Sequence, residues 1–401
     1  MSALYPLHAL RPAPEAASRV ASVPYDVVST DEARALVVGA PLSFLRVTRA
    51  EVDLPPETHP YDERVYAQAV RNFEDLKRAA PMMIEDEPAL YFYRLRMGTH
   101  EQTGLAGCFS LDEYDRDLIK KHERTRKDKE DDRTRHMVEL RAQTGVVFLV
   151  YRASRTVDAV AAVVTAGPPL YHFVAPDSVT HTIWRVTGPA VQALVEAFAE
   201  LPALYIADGH HRAASAARAR AALPGAPEAA RFVAVAFPDS QAHILPYHRV
   251  VRDLAGASHD AFLQSLGAVV DVREGTPAPS RAGEVSMFLA GRWYSLALPA
   301  PPAGTSRADA LDVEVLQRLV LGPLLGIGDI RADKRIDFVG GASGTAELER
   351  RVASGDAAVA FSMYPVTIED LFAIADAGGI MPPKSTWFEP KLRDGLLVHL
   401  I

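Results

Sequence analysis

The junction Leu204-Tyr-Ile-Ala-Asp208-Gly-His-His-Arg212 constrains the chain most. An apolar strand ends in Asp-Gly, and a run of alanine and arginine, both strong helix formers, begins at once. The first N–H groups of a helix lack internal partners, and its dipole adds partial positive charge there. Gly209 lets a backbone approach a ligand, while His210, His211 and Arg212 offer donors. That chemistry suits an anion, most naturally a phosphate. The plainer alternative is that Asp208 only caps the helix and the histidines are surface groups.

Such a junction belongs in an α/β chain, and the remaining pattern agrees. Strands are expected over 23–28, 43–48, 89–97, 104–111, 145–151, 203–207 and 244–251, with a hairpin over 284–298 turning at Ala290-Gly291. Helices are expected over 33–38 behind a Thr30 or Asp31 cap, and over 61–78, 189–201, 213–223 and 259–266. The expected fold class is mixed α/β (α+β). Its expected division is 1–251, a small α+β part over 252–330, and a C-terminal segment over 331–401 that packs back on the site.

Composition narrows the function. The net charge of −8, from 43 Lys and Arg against 51 Asp and Glu, lacks the basic footprint of nucleic-acid binding. One cysteine, Cys108, excludes an internal disulfide and an all-cysteine metal cage, and its place in a strand points to core packing. The start of the chain lacks a signal-peptide pattern, and no uncharged apolar stretch reaches the roughly 18 residues of a membrane span. A cytoplasmic protein is the expectation. Phosphate-loop, dinucleotide-fingerprint, nucleophile-elbow and zinc-helix motifs are missing from the sequence.

Four further clusters stand out. Lys120 to His136 holds seventeen residues, fifteen of them charged or histidine. Alone it would read as a solvated helix face, but His122, Glu123 and Thr125 stand at its entrance. Asp26, in Pro24-Tyr-Asp-Val-Val-Ser-Thr30, is either an acid/base or metal-binding carboxylate or a turn residue. Lys384, Ser385, Thr386, Glu389 and Lys391 lie on Ile380-Met-Pro-Pro-Lys-Ser-Thr-Trp-Phe-Glu-Pro-Lys391, whose ordering implies either docking over a ligand or packing of Trp387 and Phe388. His248-Arg249 is a weaker pair.

Pro24-Tyr-Asp-Val-Val, His122-Glu-Arg-Thr, Asp208-Gly-His-His-Arg, Leu311-Asp-Val with Pro323-Leu-Leu-Gly-Ile, and Met381-Pro-Pro-Lys-Ser-Thr-Trp-Phe-Glu-Pro-Lys together resemble the domain-of-unknown-function family DUF1015 over essentially the whole chain. The Asp-Gly-His-His-Arg core is similar to the phosphate signature of the ParB/sulfiredoxin-like fold. That fold includes CTP-binding partition proteins, sulfiredoxin and free-serine kinases that use ADP or ATP. The resemblance implies a nucleotide (ADP or ATP, with CTP also admitted) and Mg²⁺, held at Asp208, Gly209, His210, His211 and Arg212, with Asp208 toward the metal. Lys384, Ser385, Thr386 and Lys391 would close the far side. Thr125, His248, Arg249 and Glu389 would face a hydroxyl substrate such as free serine. Glu123 would be the base, with Asp26 and His122 beside it. Two other readings remain open: a metal-dependent hydrolase using Asp208, His210, His211, His122 and Asp26 as ligands, and a nucleotide-sensing module without chemistry. A homo-oligomer is compatible with each.

Overall fold

The computed structural model describes residues 4–401; the first three residues, part of the start expected to lack a signal-peptide pattern, lie outside them. The architecture is mixed α/β. The chain divides into two compact units, the first of residues 4–242 with 390–401 and the second His243–Glu389.

The first unit is built on a nine-stranded mixed sheet. Its strand order is Ile119–Lys120, Leu204–Asp208, Val147–Tyr151, Arg231–Pro238, His100–Ser110, Leu90–Met97, Thr180–Val186 and Tyr171–Val174, with Leu4–Tyr5 also paired to His100–Ser110. Leu204–Asp208 runs parallel to Ile119–Lys120, and Arg231–Pro238 parallel to Val147–Tyr151; the other pairs are antiparallel. Val-Phe-Leu-Val-Tyr over 147–151 is buried throughout, as expected of a strand covered on both faces. Alternate residues Leu90, Phe92, Leu105, Phe109, Leu149 and Ile206 form one core with Leu194 and Phe198 of the helix Pro189–Ala199. Ala213, Ala216 and Ala219 of the helix His210–Ala222 join it, their small side chains letting that helix lie close to the sheet. The helix Glu63–Ala79 puts Val65, Ala69, Phe73 and Leu76 into a second core with Phe44 and Leu140.

The second unit carries a six-stranded antiparallel sheet in the order Asp271–Glu274, Arg292–Ala297, Glu284–Leu289, Val359–Ser362, Tyr247–Val251 and Ile336–Gly340. The expected hairpin is present; Ala290 and Gly291 both take positive φ (50° and 79°), as a type I′ turn needs.

Four sequence expectations differ from what forms. Residues 43–48 read as a strand because they are rich in apolar and β-branched types, yet Leu45–Thr48 is helical. Phe44 and Val47, three apart, point together into the core of the Glu63–Ala79 helix, so tertiary packing overrides propensity. Residues 23–28 form a turn with Tyr25–Val27 in a 3-10 helix rather than a strand, following Pro24, which has no N–H to donate. Residues 244–251 split at Pro246 into Ile244–Leu245 and Tyr247–Val251, which belong to different sheets. The expected boundaries at 251 and 330 give way to one at 243, because Tyr247–Val251 pairs with both Ile336–Gly340 and Val359–Ser362. Residues 390–401 return to the first unit, where His399–Leu400 pairs with Ala142–Gln143.

Candidate functional site

The Leu204–Asp208 strand slips register against Val147–Tyr151 between Ile206 and Asp208, and such irregularities re-aim side chains. Gly209 then takes φ 95°, and a Cβ there would meet Val147 Cα at 3.4 Å and Arg212 Cδ at 3.3 Å. Only glycine turns this corner without strain. Because Ile119–Lys120 runs parallel beside Leu204–Tyr205, residues 122 and 123 arrive at the same sheet end as Asp208.

His122 and His210 meet there edge to face, with ring centroids 4.4 Å apart and planes at 85°. The His122 backbone N–H donates to His210 Nε2 at 3.4 Å. An accepting Nε2 leaves the ring proton on Nδ1, and that nitrogen faces Glu123 Oε2 at 3.7 Å. Burial first, then the neighbouring His122 ring, hold His210 well below the ordinary histidine range, so it is neutral. Burial likewise pulls His122 down to about 4. His122 Nδ1 is buried with no hydrogen-bond partner, and orphaned polar atoms of this kind mark sites that a ligand or water completes. Glu123, in contrast, is exposed.

His211 Nε2 accepts from the Arg126 backbone N–H at 3.0 Å, so His210 and His211 both address the 122–126 segment. Lys391 Nζ lies 3.3 Å from Asp208 Oδ2. Burial alone would raise the Asp208 carboxyl, but the Lys391 and Arg212 charges hold it below the usual carboxylate range. Thr125 Oγ1 donates to Glu130 instead of facing this cluster.

Arg212 does not join the histidines. It is buried, donating through one terminal nitrogen to the Val146 carbonyl at 2.7 Å and through the other to both Asp26 oxygens at 2.6 and 2.8 Å. The expected phosphate donor is therefore a fixed cross-link that holds the 24–27 turn. Tyr25 lies between Arg133 (4.4 Å to its ring centroid) and Arg212 (5.8 Å). Arg133 in turn pairs with Asp132, which accepts from Tyr66. The charged 127–140 run is thus a helix whose Asp132, Arg133 and His136 turn inward rather than to solvent.

Sequence reasoning missed Asp394. Its backbone pairs with Ser22, and its fully buried carboxylate makes no side-chain hydrogen bond, with only the Val146 backbone N–H directed toward it. Burial pushes its carboxyl up to about 7, with Asp26 adding to the rise and Arg212 opposing it. No local signal in Leu392-Arg-Asp394-Gly distinguishes it, since its surroundings come from residues 22, 146 and 212.

Lys384, Ser385, Thr386, His248, Arg249 and Glu389 all lie in the second unit. His248 is buried and accepts from the Met363 N–H at 3.1 Å, and burial holds it at about 4. Ser385 Oγ donates to the Pro382 carbonyl, and Glu389 accepts from Trp387 Nε1 at 2.7 Å.

Among the described residues no three His, Cys, Asp or Glu side chains converge to hold a metal ion. The five-ligand hydrolase set does not assemble, because Asp26 is tied to Arg212 and the His210 and His211 imidazoles to backbone amides. Magnesium is different, since it commonly takes one or two carboxylates plus substrate phosphates. Asp208, partly exposed at the helix start, fits that smaller requirement.

The fold and site thus define a mixed α/β protein with a polar strand-to-helix junction. The chain belongs to the DUF1015 family, described as proteins of unknown function, whose model matches residues 4–318. Among curated proteins none matches it. A conserved hypothetical protein from Pyrococcus furiosus is 15% identical, with 74% of this chain and 95% of that one covered and a TM-score of 0.37. A free serine kinase in complex with AMP is 13% identical, with 71% and 86% covered and a TM-score of 0.36. SbnI with a C-terminal truncation, from Staphylococcus aureus, is 12% identical, with 74% and 87% covered and a TM-score of 0.40. Among the described residues no helix is long and apolar enough to cross a membrane.

Proposed function

We propose that the first unit binds a nucleoside polyphosphate, ADP or ATP, at the start of the His210–Ala222 helix and transfers a phosphoryl group to the hydroxyl of a small molecule such as free serine. One observation carries this reading: residues 122–123, 208–211 and 391, remote in sequence, meet at one helix start. A ParB/sulfiredoxin-like core and a cytoplasmic location belong to the same proposal.

Phosphoryl transfer needs mainly positioning and charge neutralisation. The unpaired N–H groups after Gly209 and the Lys391 ammonium would meet phosphate oxygens. Asp208 would be the protein carboxylate for a magnesium ion bound with the polyphosphate, which would supply further charge neutralisation. The substrate oxygen forms its bond to phosphorus as the bond to the nucleotide's bridging oxygen breaks. Glu123 takes the hydroxyl proton; it is exposed and faces the neutral, Nδ1-protonated His210. Asp26 is the poorer base, because both its oxygens are committed to Arg212.

The test is Glu123→Gln assayed with ADP or ATP, magnesium and serine or related hydroxyl compounds. Transfer should fall by roughly 10²- to 10⁴-fold, the usual contribution of general acid–base catalysis, with nucleotide binding retained. Unchanged transfer removes Glu123 as base. Binding without turnover on any hydroxyl in the wild-type chain would make the protein a nucleotide sensor instead.

A further inference from the structure

The second unit holds a buried cation without a counter-charge. Tyr247 and Arg249 share one face of the Tyr247–Val251 strand, by the period-2 alternation of a sheet, while His248 and Val250 take the other. Opposite them in register stand Gly340 and Phe338. Arg249 is 1% exposed. One terminal nitrogen donates to the Tyr247 carbonyl and the other to the Lys384 carbonyl at 3.0 Å.

The other buried arginines of the chain make the contrast. Arg11 pairs with Glu85, Arg133 with Asp132, Arg212 with Asp26 and Arg393 with Asp177. Arg249 has no carboxylate partner among the described residues; Glu389, the buried acid of the same segment, accepts from Trp387. A buried charge without a partner is costly, and two neutral carbonyls do not neutralise it. In keeping with this, burial pulls the guanidinium down to about 10.

A second cation stands nearby. Lys384, in a left-handed backbone (φ 59°), carries its ammonium 5.3 Å from the Tyr247 ring centroid. Tyr247, Phe338 and Trp387 form a half-buried ring cluster, with Tyr247 5.9 Å from Phe338 and 5.1 Å from Trp387. Trp387 lies flat on Gly340, where a Cβ would come within 2.5 Å of the indole. Gly340 thus makes room for the Trp387 indole, and Gly341 for Leu245 and Pro246.

We propose that the second unit carries an oxyanion-binding site, with Arg249 and Lys384 as its cations, for a ligand bearing a carboxylate or phosphate group. The half-buried rings offer that ligand's apolar part a surface. This site does not depend on the phosphoryl-transfer reading and stands if that reading fails.

The experiment uses the full chain carrying Trp184→Phe and Trp293→Phe, which leaves Trp387 as the sole tryptophan of three. Its emission is titrated with inorganic phosphate and, separately, with acetate, against chloride at constant ionic strength. At least one oxyanion should give a saturable change, and Lys384→Ala should weaken it tenfold or more. Whichever anion binds more tightly identifies the ligand's group. Arg249→Met should abolish the change without lowering ligand-free stability, because it removes an uncompensated buried charge. Two results overturn the site: no saturable change with either oxyanion, or equal affinity in Lys384→Ala. Should the double background or Arg249→Met fail to fold, calorimetric titration of the otherwise unaltered chain with and without Lys384→Ala gives the same decision.

Discussion

Arg212 shows why a residue's type does not fix its task. Beside two histidines at a helix start, a guanidinium reads as a phosphate donor; buried, it becomes the tie between the 24–27 turn and Val146. Arg212→Met should therefore destabilise the fold by about 1–3 kcal/mol, because it takes the donor from the buried Val146 carbonyl while the exposed Asp26 carboxylate turns to water, measured by denaturant titration. A loss of ligand binding with stability unchanged would restore the ligand role. Asp394 makes the second prediction at this scale. Its carboxyl rises to about 7 in the fold from an ordinary value near 4, so the folded state holds a proton that the unfolded chain releases. Stability from this group is then lost as pH rises between those values, by up to about 1.4 kcal/mol per pH unit. Asp394→Asn should flatten that part of the stability–pH curve, and a curve of unchanged slope contradicts the assignment. Asp208, the histidines, Glu123 and Lys391 were legible as a candidate site because their residue types are unusual beside strand ends. Asp394 and Tyr25 were not, because what makes them unusual is supplied by distant segments.

At the scale of elements, the strand–Gly209–helix junction was legible from alternation, an Asp-Gly turn and an alanine run, each a local property. Gly209→Ala places a side chain at φ 95° against Val147 and should cost about 1–3 kcal/mol. It should also weaken nucleotide binding, because the first helical N–H groups move. Thermal unfolding with and without ADP reads both effects. Elements whose identity depends on partners were harder to read. The Leu45–Thr48 segment is helical because Phe44 and Val47 both reach the Glu63–Ala79 helix, and the 244–251 run breaks because Pro246 has no N–H for a ladder.

For the molecule as a whole, two properties were not written locally. One is the division: the return of residues 390–401 to the first unit is a pairing with Leu10, Ser22 and residues 141–143, far away in sequence. The other is the number of histidines kept neutral by burial. His122, His136 and His248 are held at about 4 and His181 at about 3, burial being the main cause in each. Their folded values lie below the ordinary one near 6.5, so unfolding takes up protons in acid. The stability they permit is complete above about pH 6.5 and is lost as pH falls toward 4. Both units should therefore unfold steeply below about pH 5.5, with substantial proton uptake, measurable by acid titration with circular dichroism; a flat response from pH 6.5 to 4 contradicts this. The central claim, a nucleotide gripped at the start of the His210–Ala222 helix, is tested most directly by hydrogen–deuterium exchange of the whole chain with and without ADP or ATP and magnesium. The account predicts slower exchange in peptides covering 119–127 and 205–216. Exchange there that is unaltered by a saturating nucleotide, or protection confined to other segments, would contradict it.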